Sequence, residues 1–150
     1  RPKALEGRRK RRQLDAAQLD AFAEGLLRKR LGQVRQLLPG TASRLGSEFA
    51  PRFIAWARGS APAAMHHHED DARRFGRLIL CDNLARESRD LLRWELLQLR
   101  IRRPGIGVGI VCFRHDVRRS GEAPLPRRFM IAVWWLAGRR SRPGLWLWPG

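Results

Sequence analysis

The run His66-His67-His68-Glu69-Asp70-Asp71 has the donor types of a metal site: imidazoles followed by carboxylates. Consecutive side chains in a loop do not converge on one ion as i, i+4 pairs or ligands from separate elements do. The run reads instead as a polar loop leading into a helix, with Asp70 or Asp71 as its N-cap. No metal and no other cofactor is therefore expected. His115-Asp116 is a dipeptide at a strand end with no third partner in view, and neither Ser120 nor Ser141 stands in a nucleophile-elbow pattern. Gly105, Gly107 and Gly109 lead into a strand rather than joining a strand to a helix, so they form no phosphate cradle. Cys81 and Cys112 are isolated, which speaks for a reduced, cytoplasmic setting without a redox or metal motif. The expectation is a protein that is not an enzyme, with no catalytic residue.

Binding chemistry is better represented. Trp134, Trp135, Trp146 and Trp148 stand close to Arg127, Arg128, Arg139, Arg140 and Arg142, a mixture typical of protein-interface hot spots. Trp134, Trp135, Arg127 and Arg128 are the candidate contacts for a protein or peptide partner. Packing of the indoles against the rest of the chain competes with that reading, and base stacking is the third possibility. The net charge of +17 comes almost wholly from arginine, since only Lys3, Lys10 and Lys29 are lysines. Such a surface attracts phosphates and acidic proteins alike. Arg8, Arg9, Lys10, Arg11 and Arg12 are the alternative, nucleic-acid-binding candidates, against the plainer reading of a solvated flank.

The elements that position these residues follow from periodicity. Residues 1–13 carry like charges and little to bury, and are expected to be a flexible basic arm. From Leu14, with Asp15 as a cap, an apolar stripe through Leu26, Leu27, Leu31, Val34 and Leu38 predicts a long amphipathic helix. Pro39 forces Leu38 out of the helical region and Gly40 supplies a stop, with Thr41 and Ser47 as caps for the next helical pieces. Phe49, Phe53 and Trp56 form the stripe of a second helix and Phe75, Leu78 and Ile79 that of a third. Asn83 is the expected cap of a fourth, carrying Leu91, Leu92, Leu96 and Leu99, with Trp94 off that stripe and reaching sideways.

After Pro104-Gly105 the period changes to alternation. Strands are predicted around 108–117, 129–136 and 145–148. The second is apolar on both faces, so it is either covered twice or displays an interaction surface. The fold class is α+β: an N-terminal bundle of about four helices followed by a small three-stranded antiparallel sheet. Residues 14–150 form one domain, with 14–103 helical and 106–150 β. Glu95 and Arg114 are expected either to pair across the helix–sheet junction or to face water.

These residues carry a resemblance. AFAEGLLRKRLGQVRQLLPGTASRLGSEFAPRFIAWA, DDARRFGRLI, ESRDLLRWE, CFRHDV and AVWWLAGRR resemble an uncharacterised actinobacterial domain. That domain is associated with the C-terminal part, or the companion protein, of multinuclear non-haem iron enzymes that modify cysteines in ribosomal peptides. The helical part is similar to a family described as DNA-binding, whose LP-x-T-x-x-L-G pattern is matched by Leu38, Pro39, Thr41, Leu45 and Gly46. The iron enzyme's His and carboxylate ligand motifs are absent. The resemblance implies a non-catalytic accessory domain that binds a protein partner, such as the iron enzyme, or a precursor peptide. Nucleic-acid binding is the alternative. No membrane segment is expected, the longest apolar run being Phe129 to Ala137.

Overall fold

The structure, a computed structural model, describes residues 2–60, 67–103, 105–122, 124–138 and 143–150, with backbone alone for residues 2–17 and 67. Its elements are α1 (Pro2–Leu37), α2 (Pro39–Leu45), a 3-10 turn (Gly46–Glu48), α3 (Phe49–Arg58), α4 (His67–Cys81), α5 (Arg86–Ile101), β1 (Ile106–His115), a 3-10 turn (Val117–Arg119), β2 (Arg127–Ala137) and β3 (Gly144–Pro149). Four helices, with the short α2 between the first two, thus precede a three-stranded antiparallel sheet of order β1-β2-β3. The α+β expectation holds. Among the described residues no helix is long and apolar enough to cross a membrane.

Helical backbone begins at Pro2, ahead of the expected start at Leu14, and runs through the basic stretch Arg8 to Arg12. The side chains of that stretch lie outside the described residues.

Two apolar cores share α5. The first joins Val34 and Leu38 of α1, Phe49 and Phe53 of α3, Phe75 and Ile79 of α4, and Leu92 and Leu99 of α5. Phe75 stands edge-on to both Phe49 and Phe53, with ring centroids 5.5 and 5.1 Å apart. The second core sets Trp94 and Leu97 of α5 against Phe113, Met130 and Ala132 of the sheet. Trp94 meets Phe113 edge-on at 6.1 Å, so its place off the main stripe is what carries the sheet. Helix α5 is therefore apolar on two sides, and the sheet is built on the second.

Carboxylates complete the joints, and not at the expected positions. Asp71 is no N-cap: it lies inside α4, fully buried, and accepts a bidentate pair from Arg30 of α1 at 2.8 and 3.0 Å. Thr41 and Ser47 cap nothing. The N-cap of α2 is Leu38, pushed to φ −125° by Pro39, and α3 continues directly from the 3-10 turn. Asn83 is no cap either, since α5 starts after Ala85 without a side-chain cap. Gly40 is not a stop but the second residue of α2. A Cβ there would lie 2.8 Å from Leu91 Cδ2 and 3.1 Å from Glu95 Oε1, so glycine is what lets α2 sit on α5.

Candidate partner-binding surface

Strand alternation decides what each aromatic residue can do. Along β2, Met130, Ala132 and Leu136 are buried against the helices, and Trp134 lies on that same inner face. Its ring covers Gly109, where a Cβ would fall 2.7 Å from the indole, and the Arg100 guanidinium stacks over it at 5.8 Å. Trp135 points the other way and is 45% exposed. Beyond the irregularity that separates the Phe113–Met130 and His115–Arg127 pairs, Arg127 stands opposite His115, and Arg128 lies close enough to Asp116 to help hold that carboxyl below its usual range. The main cause of that lowering is the Arg118 side chain, which donates to both Asp116 oxygens. Trp134 and Trp135 thus lie on opposite faces of the sheet, while Arg127 and Arg128 stand at the bulged start of β2.

The outer face is a continuous apolar surface. The register sets Val108 beside Trp135, Ile110 beside Val133 beside Trp146, and Cys112 beside Ile131 beside Trp148. Ile106, Val108 and Ile110 are 85, 74 and 68% exposed, and Trp146 and Trp148 each 52%. Trp146 and Trp148 meet edge-on at 5.1 Å, while the Trp135 ring lies over Gly144, where a Cβ would run into it. Phe129, also exposed, extends the patch along β2. No helix covers this face among the described residues.

Sequence reasoning had the tryptophans but missed the β1 contribution. The signal was present: in Ile106-Gly107-Val108-Gly109-Ile110 the glycines occupy one parity and the branched side chains the other. That pattern gives a strand whose bulk is all on one side.

The charged candidates are occupied elsewhere. Glu95 does not meet Arg114. Its carboxylate lies at the start of α2 and accepts from Gly40 N–H at 2.6 Å, Thr41 N–H at 3.1 Å and Thr41 Oγ1 at 2.5 Å. Burial raises its pKa, and those three donors offset part of the rise. The Arg114 side chain is exposed, at a bulge between Phe113 and His115. The helix–sheet carboxylate is Asp90, which accepts from the Arg114 backbone N–H at 2.8 Å and lies 2.9 Å from His115 Nδ1. Asp90 was not singled out from the sequence, because a carboxylate in an Arg-rich helix gives no sign of facing inward.

Of the histidine–carboxylate run, His66 lies outside the described residues and His67 is described by its backbone alone. Glu69 and Asp70 bind Arg73, Asp70 also binds Arg103, and Asp71 is paired with Arg30. Arg73 further donates to Leu99 O at 2.7 Å, and burial lowers its pKa with Arg103 adding to the effect. Among the described residues no group of three or more His, Cys, Asp or Glu side chains is placed to hold a metal ion. Arg139, Arg140 and Arg142 lie outside the described residues.

Residues 5–80 match the family model of the SCO6045-like, C-terminal domain. The chain belongs to this family. The match spans α1 to α3 and almost all of α4, and stops short of α5 and the sheet. The Arg30–Asp71 pair and the Phe49–Phe53–Phe75 cluster therefore lie in the matched part. The exposed sheet face lies beyond it. Neither the curated proteins nor the solved structures contain a match.

Proposed function

We propose that this SCO6045-like domain is a non-catalytic accessory module that docks on a protein partner through the outer face of its sheet. The carrying observation is the contiguous patch of Trp135, Trp146, Trp148, Phe129, Val108 and Ile110, exposed together in one register. Aromatic residues on a rigid strand lose little side-chain freedom on binding and bring large apolar area, as interface anchors do. A monomer gains nothing by displaying such a patch to water. The sequence resemblance supports the kind of partner: a multinuclear non-haem iron enzyme that modifies ribosomal peptides, which would carry the chemistry while this domain holds enzyme or precursor peptide in place.

A nucleic-acid role draws less support from this face. Base stacking works beside cations that track a phosphate backbone, whereas the rows between Val108 and Trp148 contain no charge.

The test is binding of the purified chain to a multinuclear non-haem iron enzyme of the peptide-modifying class, measured by calorimetry. Trp135→Glu combined with Trp148→Glu should weaken the complex at least about tenfold without lowering the melting temperature. Unchanged affinity would remove the outer face from the interface. Tight binding to duplex DNA, falling steeply with salt, together with no binding to the enzyme, would replace this reading by the nucleic-acid one.

A further inference from the structure

The β1 edge offers a second surface of different chemistry. β1 is an edge strand, and its backbone groups alternate between β2 and open space. Gly105 O accepts from Gly138 N–H, whereas Cys112 O accepts from Arg93 and Arg114 N–H donates to Asp90, both on the far side from β2. Odd-numbered residues of β1 therefore bond to β2. The N–H and C=O groups of Ile106, Val108 and Ile110 point out of the sheet. Side chains of α5 close the far end of this edge, at Cys112 and Arg114, and among the described residues the stretch from Ile106 to Ile110 is left open.

Exposed edges are normally blunted by a lysine, a proline or an inward charge. The sequence from Ile106 to Phe113 contains none of these. The protection that would keep another strand away is missing where the edge is longest.

Beneath that edge runs a groove of about 300 Å³ between α4, α5 and the inner face of the sheet. Its floor includes Leu96, Val111 and Trp134, and its cations are Arg73, Arg77, Arg93 and Arg100. A second cleft of about 390 Å³ continues past Arg93 along the first turns of α5, lined by Arg86, Arg89 and Arg114. The one carboxylate there, Asp90, is already bonded to Arg114 N–H and His115. Guanidinium groups thus follow the strand edge: Arg73 is paired with Glu69 and Asp70 and Arg93 lies 3.9 Å from Asp90, but no carboxylate lines the groove beside Arg77 and Arg100.

We propose that β1 accepts an extended, acidic segment of a partner polypeptide as a fourth strand. Backbone pairing at Ile106, Val108 and Ile110 would fix it. Alternate side chains then fall on opposite faces: apolar ones beside Val108 and Ile110, carboxylates over the groove toward Arg77, Arg93 and Arg100. The inference rests on the polypeptide-binding reading above but uses a different surface, so the two can fail separately.

The probe is a short fluorescein-labelled peptide alternating valine and glutamate, followed by anisotropy with the intact chain. It should bind, and its counterparts with a central proline or with lysine in place of glutamate should bind at least about tenfold more weakly. Arg77→Glu with Arg100→Glu should reverse the preference between the glutamate and lysine peptides. Hydrogen exchange at the Val108 and Ile110 amides should slow on binding, a readout that needs no variant to fold. No binding of the glutamate peptide, equal binding of the proline peptide, or unprotected Val108 and Ile110 amides would overturn the proposal. So would displacement by single-stranded DNA at lower concentration than by unlabelled peptide. Loss of enzyme binding in the Trp135/Trp148 variant alongside intact peptide binding would separate the two surfaces.

Discussion

Replacing Glu95 tests how the helical half is locked. Its carboxylate supplies the N-terminal cap of α2 from another helix, accepting from Gly40 N–H, Thr41 N–H and Thr41 Oγ1. Hydrogen bonds to a charged group contribute about 1.5–3 kcal/mol each, and an orphaned buried donor costs about 1–3. Two considerations reduce the sum. Burial of the carboxylate is itself unfavourable, as its raised pKa records. A cleft of about 270 Å³, lined by Gly40, Ser43 and Glu95, would also let water reach the freed N–H groups. Glu95→Ala should therefore destabilise by about 2–3 kcal/mol, and Glu95→Gln by about 1–2, since the amide turns an NH₂ toward donors.

The pH dependence distinguishes burial from hydrogen bonding. A carboxyl whose pKa is higher folded than unfolded takes up a proton more readily in the folded chain. Lowering the pH through the folded pKa toward the ordinary value of 4.5 thus stabilises the wild type relative to Glu95→Gln. Urea denaturation across that range should show the gap between wild type and Glu95→Gln widening as pH falls. A gap that narrows would mean that the three donors outweigh burial. A loss below about 0.5 kcal/mol at neutral pH would refute the capping role altogether.

The buried Arg30–Asp71 pair should behave as a unit. Asp71→Asn or Arg30→Met alone should cost about 3–5 kcal/mol, and the double variant less than the two added, in urea melts. At the helix–sheet joint, Asp90→Ala should cost about 2–3 kcal/mol because Arg114 N–H and His115 lose their acceptor, whereas Arg114→Met should stay below about 0.5, by the same assay. Gly109→Ala should destabilise by about 1–3 kcal/mol and shift tryptophan fluorescence, because the new methyl displaces the Trp134 ring. Elemental analysis of purified protein should show no stoichiometric zinc or iron, since the acidic part of the 66–71 run is held by arginines.

Much of the fold was legible because apolar periodicity is local. Most of the stripes of α1, α3, α4 and α5, the break at Pro39, the change to alternation after Gly105 and the sideways reach of Trp94 could be read from spacing. Leu26 and Leu78, expected on the buried stripes of α1 and α4, are exposed because they lie at the margin of the face that packs. Polar partners could not. Thr41, Ser47, Asp71 and Asn83 are good caps by type, and none caps the helix expected of it. Burial brought Glu95 to the start of α2 and Arg30 to Asp71 from far along the chain, and a long-range carboxylate satisfies the same N–H groups as a local hydroxyl. Intrinsic capping preference is worth about 1 kcal/mol, which a tertiary contact with several donors easily exceeds.

The candidate binding surface shows the same division. Composition identified the tryptophans and arginines of the last strands but could not assign them to faces, because both parities of β2 are apolar. The assignment follows from the residues opposite. Gly107 and Gly109 leave room on the inner side for Trp134, so Trp134 fills it and becomes part of the second core. Ile106, Val108 and Ile110 occupy the outer side beside Trp135 and the β3 indoles. Among the described residues the helices cover only the inner face, so the patch remains after the core is complete. A strand apolar on both sides thus serves two faces. One anchors the sheet on α5, and the other is the exposed face proposed above to dock a partner.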